Sequence, residues 1–486
     1  MEFSHCYNAY FHWCAAAHQW TVQGFQFCSV RIIIAYHNST GPVHRGGEQE
    51  DGMEQEITRR LLAFLDASPS CYHAAEQIAR RLEGAGFLHL WEGQPWELAP
   101  GGRYFVLRGG ASVIAFRIPP RDFRGFMIAA GHSDSPTLKV RETAEIPSAG
   151  GCLRLSVEPY GGMIMRSWLD RPLSVAGRVM VREGGRLAAR LVNVDRDLLV
   201  IPSVAIHMDR EVNKGTALKS NVDMLPLFGM GKEPGAFRRI IAEEAGVTEN
   251  ELLSTDLFLY PRQRAALTGA AEEFVVSPRL DDLQCVFGCL EGFLAAEDSQ
   301  SVPVLAVFHN EEVGSGTRQG ADSTFLTDVL RRVSAAMGRT AGEHLAAVAN
   351  SFLVSADNAH AIHPNHPEYA DSEEFPVLNG GVVVKYNAAQ RYTTDAVSDA
   401  VFRQVCREAG VPVQRYSNRA DLPGGSTLGN ISTAHLSVHS VDIGLPQLAM
   451  HSACEVAGAK DIEYLVRAMT GYFEKSFRAG PEGIEI

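Results

Sequence analysis

Residues 126–134 read Phe-Met-Ile-Ala-Ala-Gly-His-Ser-Asp, an apolar run that ends in an imidazole and a carboxylate. Residues 302–312 repeat this arrangement, since Val-Pro-Val-Leu-Ala-Val-Phe is followed by His-Asn-Glu-Glu, and the run at 351–356 leads into Asp357. Short apolar runs of this length predict buried strands. Open α/β sheets bind ligands at the carboxyl ends of their strands, so we expect these polar side chains to converge.

The pattern around these runs predicts the fold class. From residue 274 onward, strands and helices alternate, with a strand expected at 436–441 among others, and such alternation is typical of an α/β architecture. Residues 141–273 instead show short β-like runs separated by Gly-Gly pairs and Pro. We therefore predict one α/β domain split over residues 53–140 and 274–486, with a β-rich domain inserted at 141–273.

Residues 1–52 differ from the rest of the chain. Glu2 and Arg31 carry the only fixed charges among the first forty residues. Histidine, Asn and Gln side chains interrupt any apolar core that a signal peptide would need. We interpret residues 1–52 as an atypical N-terminal extension, either disordered or the product of a misassigned translation start. The first amphipathic helix is expected to open at Met53.

Composition excludes several classes of protein. The 486 residues include 44 basic and 57 acidic side chains, a formal net charge of −13, which disfavours binding to nucleic acid. No apolar run approaches the ~20 residues that a membrane helix needs, so a soluble protein without a membrane partner is expected. Nine cysteines without paired spacing do not indicate a disulfide framework, and Cys285 and Cys289 suit two buried thiols on one helix face. These features favour a reducing, cytoplasmic setting.

Each candidate site residue has an ordinary structural explanation when taken alone. Asp281 or Asp282, placed before a predicted helix, can be an N-cap, and a histidine after a strand can be a buried structural residue. The adjacent Glu311 and Glu312 are harder to explain in this way. Two carboxylates at the end of a buried strand repel each other and lose solvation unless a cation or a proton compensates.

Taken together, these residues match the needs of a co-catalytic metal pair. Such a pair needs a bridging carboxylate, a histidine and a carboxylate on each metal, and a free carboxylate as general base on the attacking water. The residues that meet these needs are Asp281 as the bridge, His132 with Asp357, Glu312 with His451, and Glu311 as the base. Asp134 would then orient the His132 imidazole from behind. By contrast, the Gly314–Gly320 segment has the wrong spacing for a dinucleotide loop.

Several longer motifs occur in a fixed order along residues 53–480. They are AAGHSDSPTLKV at 129–140, IPSVAIHMDR at 201–210, SPRLDDL at 277–283, NEEVGS at 310–315, SADNAHAIHPNHPEY at 355–369, VKYNAAQRY at 384–392, DLPGGSTLG at 421–429 and MHSACE at 450–455. In these motifs the chain resembles the aspartyl aminopeptidases and their metallo-aminopeptidase relatives. The resemblance implies a mixed-sheet zinc exopeptidase domain sandwiched by helices, with an inserted β-rich domain used in assembly.

The resemblance also implies roles for particular residues. It makes His132, Asp281, Glu312, Asp357 and His451 ligands of two divalent ions, Zn²⁺ with Co²⁺ or Mn²⁺ as alternatives, and it makes Glu311 the general base. It implies that His207 reaches the active site of a neighbouring subunit, with metal ligation as the alternative. It places Lys385 where an acidic substrate side chain is recognised. The Gly-rich stretch with Gly425 and Ser426 is expected to offer backbone N–H groups to the substrate, although a plain turn is an equal alternative.

We therefore predict a cytoplasmic, metal-dependent aminopeptidase that removes N-terminal Asp or Glu from peptides. The resemblance also implies a homo-oligomer, with a dodecamer as one candidate size. Alternatives within the enzyme class are an aminopeptidase that prefers neutral residues and a related deacylase or amidohydrolase. The alternative outside it is an assembly scaffold that has lost catalysis.

Overall fold

The computed structural model describes residues 47–231, 235–422, 424–425 and 427–486. Within these ranges the α-helices are α1 Gly47–Asp66, α2 Cys71–Gly84, α3 Ser220–Asp223, α4 Ala236–Glu244, α5 Leu280–Ala295, α6 Phe325–Ala336, α7 Ala341–Ala349, α8 Ala396–Glu408, α9 Leu428–His435 and α10 Asp461–Phe473. The strands before residue 270 are β1 Leu88–Leu90, β2 Arg103–Arg108, β3 Ser112–Arg117, β4 Phe126–His132, β5 Thr137–Pro147, β6 Cys152–Tyr160, β7 Leu173–Glu183, β8 Arg186–Asn193, β9 Leu227–Met230, β10 Leu252–Pro261 and β11 Ala266–Thr268. The later strands are β12 Phe274–Ser277, β13 Val302–Phe308, β14 Phe352–Ala356, β15 Ala359–His360, β16 Val382–Tyr386, β17 Val413–Ser417, β18 His439–Gly444, β19 Pro446–Leu448, β20 Glu455–Gly458, β21 Arg478–Gly480 and β22 Gly483–Glu485.

A nine-stranded sheet forms the centre of the fold, in the order β1-β2-β3-β13-β4-β14-β18-β16-β17. Its four central strands β13, β4, β14 and β18 are parallel to one another, whereas β3 and β16 are antiparallel to β13 and β18. The sheet is therefore mixed. The carboxyl ends of β13 and β4 lie level, because Phe308 pairs with His132.

Helices cover both faces of this sheet, and the alternation of side chains along the strands explains why. Phe126, Ile128 and Ala130 of β4 belong to a buried cluster that includes residues of α6, α7 and α9. Met127 and Ala129 belong to the opposite cluster, which includes residues of α1, α2, α5, α8 and α10. A strand that buries both faces needs apolar residues at every position, as the run at 126–130 has. The predicted mixed sheet between helices is confirmed.

A six-stranded antiparallel sheet, in the order β8-β7-β10-β5-β6-β9, occupies most of residues 137–261. It has its own buried cluster, to which Leu138, Val157 and Val179 contribute together with Phe237 and Ile241 of α4. A five-stranded sheet, in the order β11-β12-β20-β19-β15, contains the strands that flank two candidate site segments. Residues 49–486 pack as one compact unit, and the division into a split domain and an insert stays a prediction.

The structure departs from two local predictions. The strand expected at 436–441 begins only at His439, which pairs with Phe352 of β14. Residues 428–435, which precede it, form α9. The first described helix begins at Gly47 rather than Met53. Predictions for residues 1–46 lie outside the described part of the chain.

Two predictions from composition can be compared with the described residues. Cys285 and Cys289 are both buried on α5, as predicted, and neither forms a disulfide. Among the described helices, none combines the length and apolar character that crossing a membrane requires.

Candidate metal centre

The carboxyl ends of the central parallel strands place four of the predicted residues together. His132 is the last residue of β4, and Asp357 directly follows β14, the neighbouring strand. Glu311 and Glu312 follow β13 on the other side of β4, in a short 3₁₀ turn opened by Asn310 in the left-handed region. The parallel arrangement of β13, β4 and β14 therefore brings three segments that are distant in the sequence together in one site.

The five-stranded sheet supplies the remaining two residues. β12 leads into the start of α5, where Asp281 lies, and the segment between β19 and β20 contains His451. Strands β12 and β20 pair directly, with Ser277 opposite Glu455, so both segments arrive from the same side. The peptide bond between Asp281 and Asp282 is cis.

The two oxygens of Asp281 face two different imidazoles. Its Oδ1 lies 3.5 Å from His132 Nε2, and its Oδ2 lies 3.4 Å from His451 Nε2. His451 Nε2 is also 3.5 Å from Glu312 Oε2. Two groups of ligand atoms result, each with all members within 4.8 Å of one another: His132 with Asp281 and Asp357, and Asp281 with Glu312 and His451.

Both imidazoles are held so that Nε2 points into the site. The Nδ1 of His132 lies 3.0 Å from the backbone oxygen of Asp134, and the Nδ1 of His451 lies 2.7 Å from that of Gly162. A carbonyl oxygen only accepts hydrogen bonds, so each Nδ1 donates to it, and the neutral form of each ring has its lone pair on Nε2. This is the tautomer that a metal-binding histidine requires.

Uncompensated negative charge accumulates between these residues. Burial and the neighbouring carboxylates raise the pKa of Glu312, and burial raises the pKa of Glu311 to about 7, with Asp357 and Asp134 adding to the shift. Burial also opposes ionisation of Asp281, but its contacts with His132 and His451 lower its pKa overall. Among the described residues, Oδ1 of Asp281 and Oε1 of Glu312 are buried without a hydrogen-bond partner. Carboxylate oxygens in this state fit a cation, and the mixed nitrogen and oxygen donors suit zinc.

Asp134, which was predicted to orient His132, contacts several groups around the site. Its Oδ1 lies 3.6 Å from His132 Nδ1 and accepts a hydrogen bond from the backbone N–H of Glu311 at 3.2 Å. Its Oδ2 accepts the backbone N–H of Glu312 at 3.2 Å and the hydroxyl of Tyr160 at 2.7 Å. One carboxylate thus contacts both the β4 end and the turn after β13.

Lys385 lines a cavity of about 180 Å³ together with several of these residues. Its side chain is buried, and Nζ donates to the backbone oxygens of Asp357 at 2.7 Å and Asn358 at 3.2 Å. Nζ is also 4.0 Å from Asp357 Oδ1, and burial, which disfavours the cation, is outweighed by Asp357, so the pKa of Lys385 is raised. The lysine is therefore a buried cation that lines the same cavity as Asp357.

The other candidate residues are distributed differently. Gly425 lines the same cavity, whereas Ser426 lies outside the described part of the chain. A Cβ at Gly425 would meet no atom within 4 Å, so its backbone borders open space. His207 is exposed in a turn between β8 and α3, and it is not among the residues that line this cavity.

Sequence reasoning missed two carboxylates that support the site. Glu455 is buried and accepts the backbone N–H groups of Asp281 at 3.1 Å and His451 at 2.7 Å. Asp282 is also buried, and its Oδ2 accepts the backbone N–H of His132 at 3.1 Å. Asp282 directly follows the predicted ligand Asp281, and Glu455 lies four residues after the predicted ligand His451. That proximity was the available signal.

Comparison with known proteins identifies relatives of the whole described unit. Residues 64–473 match the family described as aminopeptidase I zinc metalloprotease (M18). A probable M18 family aminopeptidase 2 of Clostridium acetobutylicum is 41% identical over 428 residues, covering 86% of this chain and 99% of the relative.

Solved structures agree with this match. A chain in a cryo-EM structure of the Ape4 and Nbr1 complex superposes with a TM-score of 0.84 at 37% identity, covering 87% of this chain and 86% of that one. A structure of the S. cerevisiae mApe1 dodecamer gives a TM-score of 0.77 at 27% identity, covering 87% and 97%. The chain therefore belongs to the M18 family and is a zinc metallo-aminopeptidase.

Proposed function

We propose that the protein is a two-metal aminopeptidase that removes N-terminal Asp or Glu from peptides. The observation that carries the two-metal proposal is the placement of Asp281, whose two oxygens face the Nε2 atoms of His132 and His451 at 3.5 and 3.4 Å. A single carboxylate between two histidines is the geometry of a bridging ligand.

The ligands would divide into two sets around that bridge. His132 and Asp357 complete the set on the β14 side, and Glu312 and His451 complete the set on the β13 side. Zinc ions bound there would polarise the scissile carbonyl and lower the pKa of the attacking water.

Glu311 is the proposed general base. It lines the cavity together with His132, Asp281 and Asp357, but it belongs to neither group of ligand atoms. Its pKa of about 7, raised by burial, suits a carboxylate that exchanges protons near neutral pH. In the proposed reaction, Glu311 accepts a proton from the attacking water and passes it to the leaving amine. Asp134 holds the Glu311 backbone in place through its N–H.

Lys385 is the proposed determinant of acidic specificity. Two of its three N–H groups donate to backbone oxygens, which leaves one for a ligand in the cavity. A charge-assisted hydrogen bond to a substrate carboxylate would favour Asp and Glu over neutral residues. Backbone groups at Gly425 and Ser426 are the proposed contacts for the substrate main chain. The position of Gly425 in the lining of the same cavity supports this proposal.

The exposed His207 is proposed to act across a subunit interface. A solved relative is described as a dodecamer, and we propose a homo-oligomer here, in which His207 enters the site of a neighbouring subunit and stabilises the developing oxyanion. The described cysteines are all free, which fits the proposed cytoplasmic location.

Metal analysis combined with a substrate panel tests this proposal. We expect two zinc equivalents per chain and cleavage of Asp- and Glu-anilides in preference to Leu- and Ala-anilides. Preference for Leu or Ala would replace acidic specificity with neutral specificity, and cleavage of N-acyl substrates alone would indicate a deacylase. A preparation without bound metal and without activity would support the scaffold alternative.

A further inference from the structure

The end of β6 brings the six-stranded sheet against the metal centre. After Tyr160, the last residue of β6, the chain continues through Gly161 and Gly162 to Ile164, just before a 3₁₀ turn at Met165–Trp168. We call residues 160–164 the support segment. The chain reaches it from β5 and β6, so it belongs to a sheet that contributes no candidate metal ligand.

Tyr160 contacts the carboxylate that supports the glutamate turn. Its hydroxyl donates to Asp134 Oδ2 at 2.7 Å and accepts from Asn310 Nδ2 at 2.9 Å. The same Oδ2 accepts the backbone N–H of Glu312 at 3.2 Å. Because Asp134 is buried, its orientation depends on these donors together with the backbone N–H of Glu311 at 3.2 Å and Nδ1 of His309 at 3.7 Å. Through Asp134, Tyr160 therefore influences the position of the Glu312 backbone.

Gly161 lies directly against the Glu312 side chain. It has φ +75, and a Cβ placed on it would lie 3.1 Å from Glu312 Cβ and 3.4 Å from Glu312 Oε2. Only glycine adopts this backbone conformation without strain and allows so close an approach. The glutamate is thereby held between the support segment and the Asp281 side of the site.

The next residues hold the histidine. The backbone oxygen of Gly162 accepts from Nδ1 of His451 at 2.7 Å, which leaves Nε2 free for a metal. The backbone N–H of Ile164 donates to the backbone oxygen of His451 at 2.9 Å. His451 has a left-handed backbone at φ 66, so these contacts hold a conformation that a histidine rarely adopts.

We propose that the support segment, residues 160–164, is a positioning element of the metal centre that aims Glu312 and His451 and so sets zinc affinity on that side of Asp281. The proposal rests on the proposed two-metal function. It gives the six-stranded sheet a role inside the active site of its own chain, separate from assembly. Outer contacts of this kind typically change metal affinity by about 10- to 100-fold.

Two substitutions test the segment, each with a matched control in the same sheet. Tyr160→Phe removes the hydroxyl above Asp134, and Tyr260→Phe removes a hydroxyl that donates over the same 2.7 Å to Asn193, away from the ligands. Gly161→Ala adds a methyl against Glu312, and Gly184→Ala adds one at φ +58 with no atom within 4 Å. Zinc affinity is measured by competition with a chelator, and thermal unfolding is measured on the metal-free proteins.

We expect Tyr160→Phe and Gly161→Ala to bind one of the two zinc equivalents about tenfold less tightly than their controls. Metal-free melting temperatures should agree within each pair, and added zinc should restore the activity of Tyr160→Phe. Zinc affinities equal to those of the controls would overturn the inference, and so would a loss of affinity that only follows a lower metal-free melting temperature.

His451→Ala separates this inference from the function on which it rests. Loss of one zinc equivalent in His451→Ala, together with unchanged affinity in Tyr160→Phe and Gly161→Ala, would overturn the support segment alone. Unchanged zinc content in His451→Ala would overturn the two-metal function itself, and the support segment with it.

Discussion

Replacing Lys385 by Met tests how the protein would recognise an acidic N-terminal residue. Methionine keeps most of the volume and the unbranched shape of the side chain, but it removes the buried ammonium group. Nζ donates to the backbone oxygens of Asp357 and Asn358, and its third N–H is the one available to a substrate carboxylate. The substitution therefore removes one charge-assisted hydrogen bond from the complex with Asp or Glu, and none from the complex with Leu.

The expected magnitude follows from that single bond. A hydrogen bond to a charged group contributes about 1.5–3 kcal/mol, and each 1.4 kcal/mol corresponds to about a tenfold change. The ratio of kcat/KM for an Asp-anilide to kcat/KM for a Leu-anilide should thus fall by about 10- to 100-fold. Lys385 also lies 4.0 Å from Asp357 Oδ1, so Lys385→Met is expected to change metal binding. That change affects both substrates equally and cancels in the ratio.

The assay measures both substrates on the variant at saturating zinc. Lys139→Met serves as the control, because Lys139 pairs with Asp256 at 3.0 Å in the six-stranded sheet, and its ratio should stay at the parental value. An unchanged ratio in Lys385→Met, with activity reduced to the same degree on both substrates, would refute acid recognition. It would show that Lys385 only holds Asp357.

Three further predictions concern the base, the pH dependence of stability and the packing. Glu311→Gln should keep its zinc content but lose several orders of magnitude in kcat; near-parental turnover would contradict the assignment of the base. Burial lowers the pKa of His73 from 6.5 to about 4, so the unfolded chain gains a proton below pH 6.5 that the folded protein excludes, and stability falls as the pH drops toward 4. His73→Gln should remove about 3 kcal/mol of that fall in urea unfolding, and equal pH profiles for both proteins would count against it. Gly125→Ala would place a Cβ 2.0 Å from the backbone oxygen of Asn350 and should cost about 1–3 kcal/mol, whereas Gly84→Ala meets no atom and should leave the melting temperature nearly unchanged.

The central sheet was predictable because its strands are short apolar runs. Residues 126–130, 302–308 and 352–356 bury both faces, so their hydrophobicity alone identifies them. The strand at 439–444 was placed three residues early because Leu436 and Val438, which connect α9 to the strand, are apolar and pack in the same buried cluster. Local hydrophobicity does not distinguish a buried helix end from the start of a strand.

The candidate ligands were also predictable, because each follows an apolar run or precedes a helix. The contacts around them were not. Tyr160 lies 26 residues after Asp134, and no pattern near residue 160 indicates that its hydroxyl reaches Asp134. Glu455 likewise accepts a hydrogen bond from the backbone N–H of Asp281, and any residue except proline at position 281 would present the same donor.

The amino-acid sequence by itself determined which residue types end the buried strands, and hence the chemistry that the site can perform. Strand order and register decided which of those ends meet, since β13, β4 and β14 come from three separate stretches of the chain. Only the tertiary structure decided that Asp281 turns one oxygen to each histidine and that the segment after β6 lies against Glu312 and His451. The physical reason is that side-chain identity is local, whereas a metal centre depends on distances between groups that are remote in sequence.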